Sequence, residues 1–152
     1  MGSEQKAWLF KSLKESQATF KLICSPTPIV GPDRANKKDN HANEVFAHEG
    51  NEIRQFLSRI PGTIVFCGDR HWQYASVDEA TKLWEFGCGP GSENHELGWK
   101  PGDTRPSHRF LRVQGGFLSG HLTYDSSQST PSLTIRHHEV TGTQASEFVF
   151  RP

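Results

Sequence analysis

The sequence lacks several features that would indicate a particular class of protein. Its formal net charge is zero at pH 7, so global electrostatics favours neither nucleic acid nor an anionic membrane surface as a partner. No apolar run approaches the ~20 residues that span a bilayer as a helix, so we expect no membrane partner. The first residues carry no signal peptide, and the site of action in the cell stays open.

Cysteine is also scarce, with 3 residues in the chain and no CxxC spacing. Cys24, Cys67 and Cys88 each fall at the end of a predicted strand. This pattern favours small buried hydrophobic residues over a disulfide framework, although one disulfide pair stays open.

The length of 152 residues suits one domain, with its core built from bulky Phe and Trp side chains. The first part reads as alternating helices and strands, which indicates an α/β fold. Ser3 is the expected N-cap of the first helix. The predicted elements are a helix over 3–16, a strand over 19–24, a helix over 50–60 and a strand over 63–67.

After residue 62 the chain becomes rich in strands. Two short segments flank a turn and predict a hairpin. Further strands are separated by Gly-containing turns at 115–116 and 141–142. The predicted strands are 73–77 and 82–87 in the hairpin, then 108–114, 116–124, 132–140 and 147–150.

The segment 63–72 has the strongest functional signal. An apolar strand over 63–67 stops at Gly68, and Asp69 and His71 follow at once. Ligands of open α/β sheets bind beyond the carboxyl ends of strands, and a carboxylate with an imidazole suits a metal ion. The alternative is a structural Asp that caps a turn beside a His that only packs.

Two long polar loops are further candidates for binding. The loop over Val30–His48 is longer than an ordinary connection and contains Arg34, Asn40 and His41, which could bind an anion. The alternative is a solvated surface loop. The second is a Gly- and Pro-rich loop over Cys88–Asp103.

Adjacent residues of a strand face opposite sides, so we interpret the pair at 137–138 as packed or hydrogen-bonded histidines without a shared metal.

Several segments together resemble one family. Residues 4–9, 18–23 and 67–72, with 25–34 and 39–43 between them, resemble the C-terminal portion of PhoD-like alkaline phosphatases. These enzymes belong to the calcineurin-like metallophosphoesterase superfamily. The resemblance covers most of the chain in the right order and is weakest after about residue 125.

The resemblance implies a four-layer α/β/β/α sandwich, of which this chain is the C-terminal half, and a metal-dependent phosphoric ester hydrolase. Residues 68–71 match the family motif Gly-Asp-x-His, so Asp69 and His71 are implied as catalytic metal ligands. Arg34, Asn40, His41 and Arg70 are implied to contact the phosphate ester substrate, and the alternative for Arg70 is a surface Arg that pairs with an acid. Iron, calcium, manganese and zinc all suit such ligands.

The sequence also departs from the family. The superfamily's early motifs, which supply most metal ligands, are missing, and residues 25–28 lack the His that many relatives have there. We therefore expect residues 1–152 to form a C-terminal part with little activity alone. The missing N-terminal half or a second copy is the expected partner, and relatives are often exported. The alternative is a non-catalytic, β-rich ligand-binding or accessory module.

Overall fold

The computed structural model describes residues 1–95, 97–125 and 130–152. Glu96, in the second polar loop, lies outside the described residues. The elements, in chain order, are α1 (Ser3–Glu15), β1 (Lys21–Ser25), a 3-10 turn (Glu44–Phe46), α2 (Ala47–Ser58), β2 (Thr63–Cys67), β3 (Gln73–Val77), β4 (Trp84–Cys88), a 3-10 turn (Glu93–His95), β5 (His108–Arg112), β6 (Gly116–Asp125), β7 (Thr130–Glu139) and β8 (Gln144–Phe150).

The described strands form two sheets. The first, here called the mixed sheet, has the order β1-β2-β4-β3-β5, in which β1, β2 and β4 run parallel and β3 is antiparallel to both its neighbours. The second, here called the antiparallel sheet, has the order β6-β7-β8. The predicted hairpin is therefore confirmed as β3 and β4.

Both helices cover one face of the mixed sheet. Leu13 of α1 and Ile53 and Leu57 of α2 are buried in one cluster with Val65 of β2. Ile53 and Leu57 are four residues apart, so they lie on the same side of α2. Burial of such a stripe supplies most of the stability of a helix of this length.

The antiparallel sheet covers the opposite face of the mixed sheet. Ile64 and Phe86 point toward it and pack with Leu133 and Ile135 of β7. Alternate residues of β2 therefore face opposite layers, with Ile64 toward the second sheet and Val65 toward the helices. The described layers are helices, mixed sheet and antiparallel sheet, which confirms the predicted mixed α/β fold class, strand-rich after residue 62.

Several predicted boundaries were wrong by a few residues. β1 is shifted to Lys21–Ser25 because its parallel pairing with β2 sets the register, Lys21 beside Thr63 and Ser25 beside Cys67. Gly2, without a side-chain cap, takes the N-cap position predicted for Ser3. The second helix starts earlier, at Ala47.

Smaller corrections concern the other ends and the cysteines. β4 ends at Cys88, β5 ends at Arg112, and β8 starts at Gln144 because it pairs with β7 along that length. The three cysteines are free thiols. Cys67 is buried as expected, but Cys24 is exposed because β1 is the edge of the mixed sheet. Among the described residues, no helix has the length and apolar character to span a membrane.

Candidate functional site

The predicted site lies at the carboxyl end of β2, where the chain turns sharply. The Gly68 N–H donates to Ser25 O at 3.3 Å, and the Arg70 N–H donates to Gly68 O at 2.8 Å. Asp69 has a φ of 64°, a left-handed conformation that Asp tolerates better than most residues. Strained residues of this kind concentrate at functional sites. The Asp69 side chain is 47% exposed, and His71 is half-buried.

Arg70 is buried at the centre of a polar cluster. Its Nη2 lies 2.8 Å from Asp33 Oδ2 and 3.0 Å from Asp39 Oδ1, and its Nη1 lies 2.7 Å from Asp69 Oδ2. Asn40 Nδ2 donates to Asp33 Oδ2 at 2.7 Å and to Asp39 Oδ1 at 2.8 Å. These five residues are called the Arg70 cluster below. One cation facing three carboxylates leaves the cluster with an excess of negative charge.

Two of these contacts change the acidity of Asp39. Desolvation opposes ionisation, but the hydrogen bond from Asn40 and the charge of Arg70 outweigh it and lower the pKa of Asp39. Asp39 is therefore held as a carboxylate, and the loop carrying it is tied to the turn after β2.

Arg34 lies beside the Arg70 cluster. Its guanidinium carbon is 5.4 Å from the centre of the Trp72 ring, and its Nε is 3.8 Å from Asp33 Oδ1. Within the described part of the chain, Arg34 Nε and Trp72 Nε1 are buried without a hydrogen-bond partner. The Arg34 side chain is 28% exposed, so it can meet a solute, whereas Arg70 is 2% exposed.

Glu85 of β4 fixes the start of the first polar loop. Its buried carboxylate accepts N–H groups of Ile29 at 2.6 Å and Val30 at 2.9 Å on Oε2. Oε1 accepts the Gly31 N–H at 2.8 Å and the Tyr74 hydroxyl at 2.7 Å. Burial raises the pKa of Glu85, although the backbone N–H groups and Tyr74 act in the opposite direction. The loop therefore leaves the sheet at a fixed point, and Asp33 follows two residues later.

Asp33 and Glu85 were not predicted as site residues. Glu85 has a sequence signal, because it is a charged residue between Trp84 and Phe86 in an otherwise apolar strand. Such a residue is buried only when it is paired or hydrogen-bonded. Asp33 has no comparable signal, since it lies in a loop with other charged residues.

His41 is placed apart from the cluster. Its Nε2 lies 2.9 Å from Glu49 Oε2 of α2, and its carbonyl accepts Arg54 Nη1 at 3.0 Å. The structure thus brings Arg34, Asn40, Asp69 and Arg70 together, with His71 next along the turn, while His41 faces α2. The substrate-binding and catalytic roles of all six residues stay predictions.

The described residues do not complete a metal site. Among them, no group of three or more His, Cys, Asp or Glu side chains is arranged to hold a metal ion. Asp69 is also paired with Arg70. Catalytic metal sites use three or more protein ligands, so Asp69 and His71 would supply only part of one.

The two adjacent histidines are hydrogen-bonded on opposite faces of β7. His137 is buried, donates from Nε2 to Tyr74 O at 3.1 Å and accepts the Ser146 hydroxyl on Nδ1 at 2.6 Å. His138 lies 2.7 Å from the Ser119 hydroxyl and stacks on Phe117. The interpretation as packed, hydrogen-bonded residues is confirmed.

Comparison with known proteins gives a match to one family model and a similarity in fold to a solved structure. The family model described as PhoD-like phosphatase matches residues 1–113. The solved structure of PhoD aligns with a TM-score of 0.62 at 13% identity, over 99% of this chain and 32% of that chain. At this identity the alignment shows the fold alone, and the chain spans less than half the length of that protein. No curated protein matches the sequence.

Proposed function

The chain belongs to the PhoD-like phosphatase family, and we propose that it forms the C-terminal part of a metal-dependent phosphoric ester hydrolase. Residues 1–113, which the family model matches, contain the whole Arg70 cluster, Arg34 and His71. The chain alone would have little activity, because most of the metal ligands of such an enzyme would come from another part.

One observation carries this proposal. The turn after β2 and the first polar loop, far apart in sequence, meet through the ion pairs of Arg70 with Asp33 and Asp39, and Arg70 also pairs with Asp69 within the turn. They meet at the carboxyl end of a parallel strand, where α/β sheets bind their ligands. The partly exposed Asp69, with its left-handed backbone, lies on the side open to solvent.

In this proposal Asp69 and His71 are two of the metal ligands, and the other ligands come from outside the described residues. The ion would be iron, manganese, zinc or calcium, since all accept carboxylate oxygen and the transition metals also accept imidazole. Two ligands alone do not define the position of this ion.

The cations of the site would have different tasks. Arg70 is buried and committed to three carboxylates, so it would hold the orientation of Asp69 and Asp39. Arg34 is partly exposed, and its planar guanidinium suits a phosphate oxygen pair. Asn40 Nδ2 bridges Asp33 and Asp39, so Asn40 would support the loop.

A non-catalytic ligand-binding or accessory module is the second candidate. It is favoured by the lack of a three-ligand metal group within residues 1–95, 97–125 and 130–152. It is also favoured by Arg70, whose charge is already compensated by carboxylates. Such a module would bind an anion near Arg34 without turning it over.

Hydrolysis of p-nitrophenyl phosphate and bis(p-nitrophenyl) phosphate tests the proposal. The chain is assayed with iron, manganese, zinc and calcium in turn, alone and together with an N-terminal part of a PhoD-like phosphatase. We expect turnover only in the complex, lost in His71→Ala and kept in His121→Ala, an exposed histidine of β6. Turnover by the chain alone would contradict the proposal that most metal ligands come from another part. An inactive complex would favour the accessory module.

A further inference from the structure

Among the residues that the structure describes, no strand pairs with the outer edge of β1. The Lys21 N–H donates to Gly62 O at 2.9 Å, and Ser25 O accepts the Gly68 N–H at 3.3 Å, so these groups point toward β2. Successive residues of a strand alternate in direction, so the N–H and C=O groups of Leu22 and Cys24 point away from β2. Among the described strands, β1 has no second neighbour. Edges of this kind accept another strand unless they are protected.

On the side of the antiparallel sheet, an apolar cavity opens beside this edge. It has a volume of about 520 Å³, and Leu22, Cys24, Phe66 and Leu118 are among its lining residues. Leu22 is 46% exposed, although it points toward the layer between the sheets, as its neighbour Ile64 does. The core between the sheets is therefore open at β1.

On the helix side, a second cavity opens beside the same edge. It has a volume of about 360 Å³, and Trp8, Leu9 and Ile23 contribute to its wall. Trp8 of α1 is 65% exposed. Both faces of the sheet are thus apolar and open next to β1, and these two cavities together are called the β1 slot.

The inner face of β6 continues past the mixed sheet. Leu122 pairs with the buried Leu133, and Tyr124 pairs with Pro131, so both point to the side that the mixed sheet covers. They are nevertheless 63% and 67% exposed. Further strands of the mixed sheet, placed beyond β1, would cover them.

We propose that the β1 slot takes an added β-strand, apolar on both faces and parallel to β1, from the remainder of a PhoD-like phosphatase domain. This inference rests on the proposed function. The match to PhoD points to this occupant. The alignment covers 32% of that chain, so the remaining 68% of PhoD has no counterpart in this chain. Strands covered on both faces are typical of parallel sheets, and β1 and β2 already pair in parallel.

A second copy of this chain fits the slot poorly. α1 and β6 flank the edge on its two sides, as the cavity walls show. A second copy would carry the same two elements beside its own β1. They would collide before the edges reached the ~4.8 Å spacing of paired strands.

The added strand would also serve the candidate site. Strands that run parallel end at the same edge of a sheet, so it would finish beside Ser25 and the turn at Gly68. Residues that follow it would then lie close to Asp69 and His71 and could supply further ligands to the metal site, which the described residues do not complete. The slot thus connects assembly to completion of the site.

The test is co-expression of this chain with the N-terminal part of the PhoD of known structure. We expect a one-to-one complex by light scattering, in which Cys24 resists N-ethylmaleimide and the Leu22 and Cys24 amides exchange slowly. Leu22→Lys should abolish the complex, whereas Val149→Lys should not. Val149 is a matched control, 43% exposed on the outer face of β8. If Leu22→Lys fails to fold, Leu122→Lys tests the same slot from β6.

Three results would overturn the proposal: no complex, a complex that leaves Cys24 reactive, or a homodimer of this chain that Leu22→Lys dissociates. Hydrolytic activity does not test the strand addition at the β1 slot, but it separates this proposal from the proposed function. A complex protected at β1 that hydrolyses neither ester would uphold the slot and overturn the hydrolase proposal.

Discussion

The Arg70 guanidinium lies 2.8 Å from the Asp33 carboxylate, and the two side chains are 2% and 0% exposed. This buried ion pair joins the turn after β2 to the first polar loop. A buried pair is costly to disrupt, because the partner that remains is a desolvated charge without compensation. The site is therefore a structural unit as well as a candidate for chemistry.

Replacing Arg70 should destabilise the fold strongly. Arg70→Met would leave Asp33 buried without its cation, at a cost of about 3–5 kcal/mol in the free energy of unfolding. Urea denaturation measures this. Arg136→Met is the control, since Arg136 pairs with Glu147 at 2.7 Å on a partly exposed surface and should cost less than about 1 kcal/mol. Equal losses in the two variants would contradict the structural role of Arg70.

Glu85→Gln should release the start of the first polar loop. The amide would direct an N–H toward backbone N–H groups that the carboxylate now accepts, at a cost on the order of 1–3 kcal/mol. Hydrogen exchange should become faster at the amides of Ile29, Val30 and Gly31. Tyr74→Phe removes one donor only and should leave these amides protected. Unchanged exchange in Glu85→Gln would show that the carboxylate does not hold the loop.

The sequence predicted the elements whose signal is local. The five uncharged residues of β2 lie between two glycines, and the hairpin of β3 and β4 has a polar turn between two strand-forming segments. The turn at Gly68 was placed correctly for the same reason. Boundaries set by pairing with a distant strand, such as those of β1 and β8, were not predictable from their own residues.

Buried charges were harder to predict. Arg70 and Glu85 carry charged side chains, which are normally exposed. Arg70 can be buried because it pairs with Asp33, and Glu85 because it accepts the N–H groups of residues 29–31. Cys24 shows the opposite error. Its apolar strand predicted burial, but β1 is an edge strand of the mixed sheet and leaves Cys24 exposed.

Stability should fall as the pH decreases from about 6.5 to about 4, and His137 should be a main cause. Burial lowers the pKa of His137 to about 4, against ~6.5 in an unfolded chain. In this interval the unfolded state binds more protons, so the contribution is complete above ~6.5 and lost as the pH falls toward 4. The loss amounts to about 3 kcal/mol.

Denaturation at a series of pH values checks this. His137→Phe should flatten the slope between pH 4 and 6.5, whatever it does to stability at pH 7. A residual slope is expected from His108, whose pKa is also lowered to about 4 by desolvation and by Arg105. An unchanged slope in His137→Phe would exclude His137 as the cause.

The thiols of Cys24 and Cys67 should differ sharply in reactivity. Cys24 is exposed, whereas Cys67 is buried beside the Tyr74 hydroxyl, and burial together with Glu85 raises its pKa well above the usual range. The thiolate is the reactive form, so Cys67 should react only on unfolding. Labelling followed by mass spectrometry should find Cys24 modified first in the native chain. Early modification of Cys67 would contradict the packing described here.

The isolated chain should show no stabilisation by metal ions. An ion that binds only the folded state raises the melting temperature more the more tightly it binds, and two ligands give little affinity. Manganese or zinc should therefore leave the melting temperature unchanged, and so should EDTA. In the complex with an N-terminal part, the same ions should raise it, and Asp69→Asn or His71→Ala should remove the increase, whereas His121→Ala should not. An increase in the isolated chain that both Asp69→Asn and His71→Ala abolish would mean that this chain already holds a metal through them.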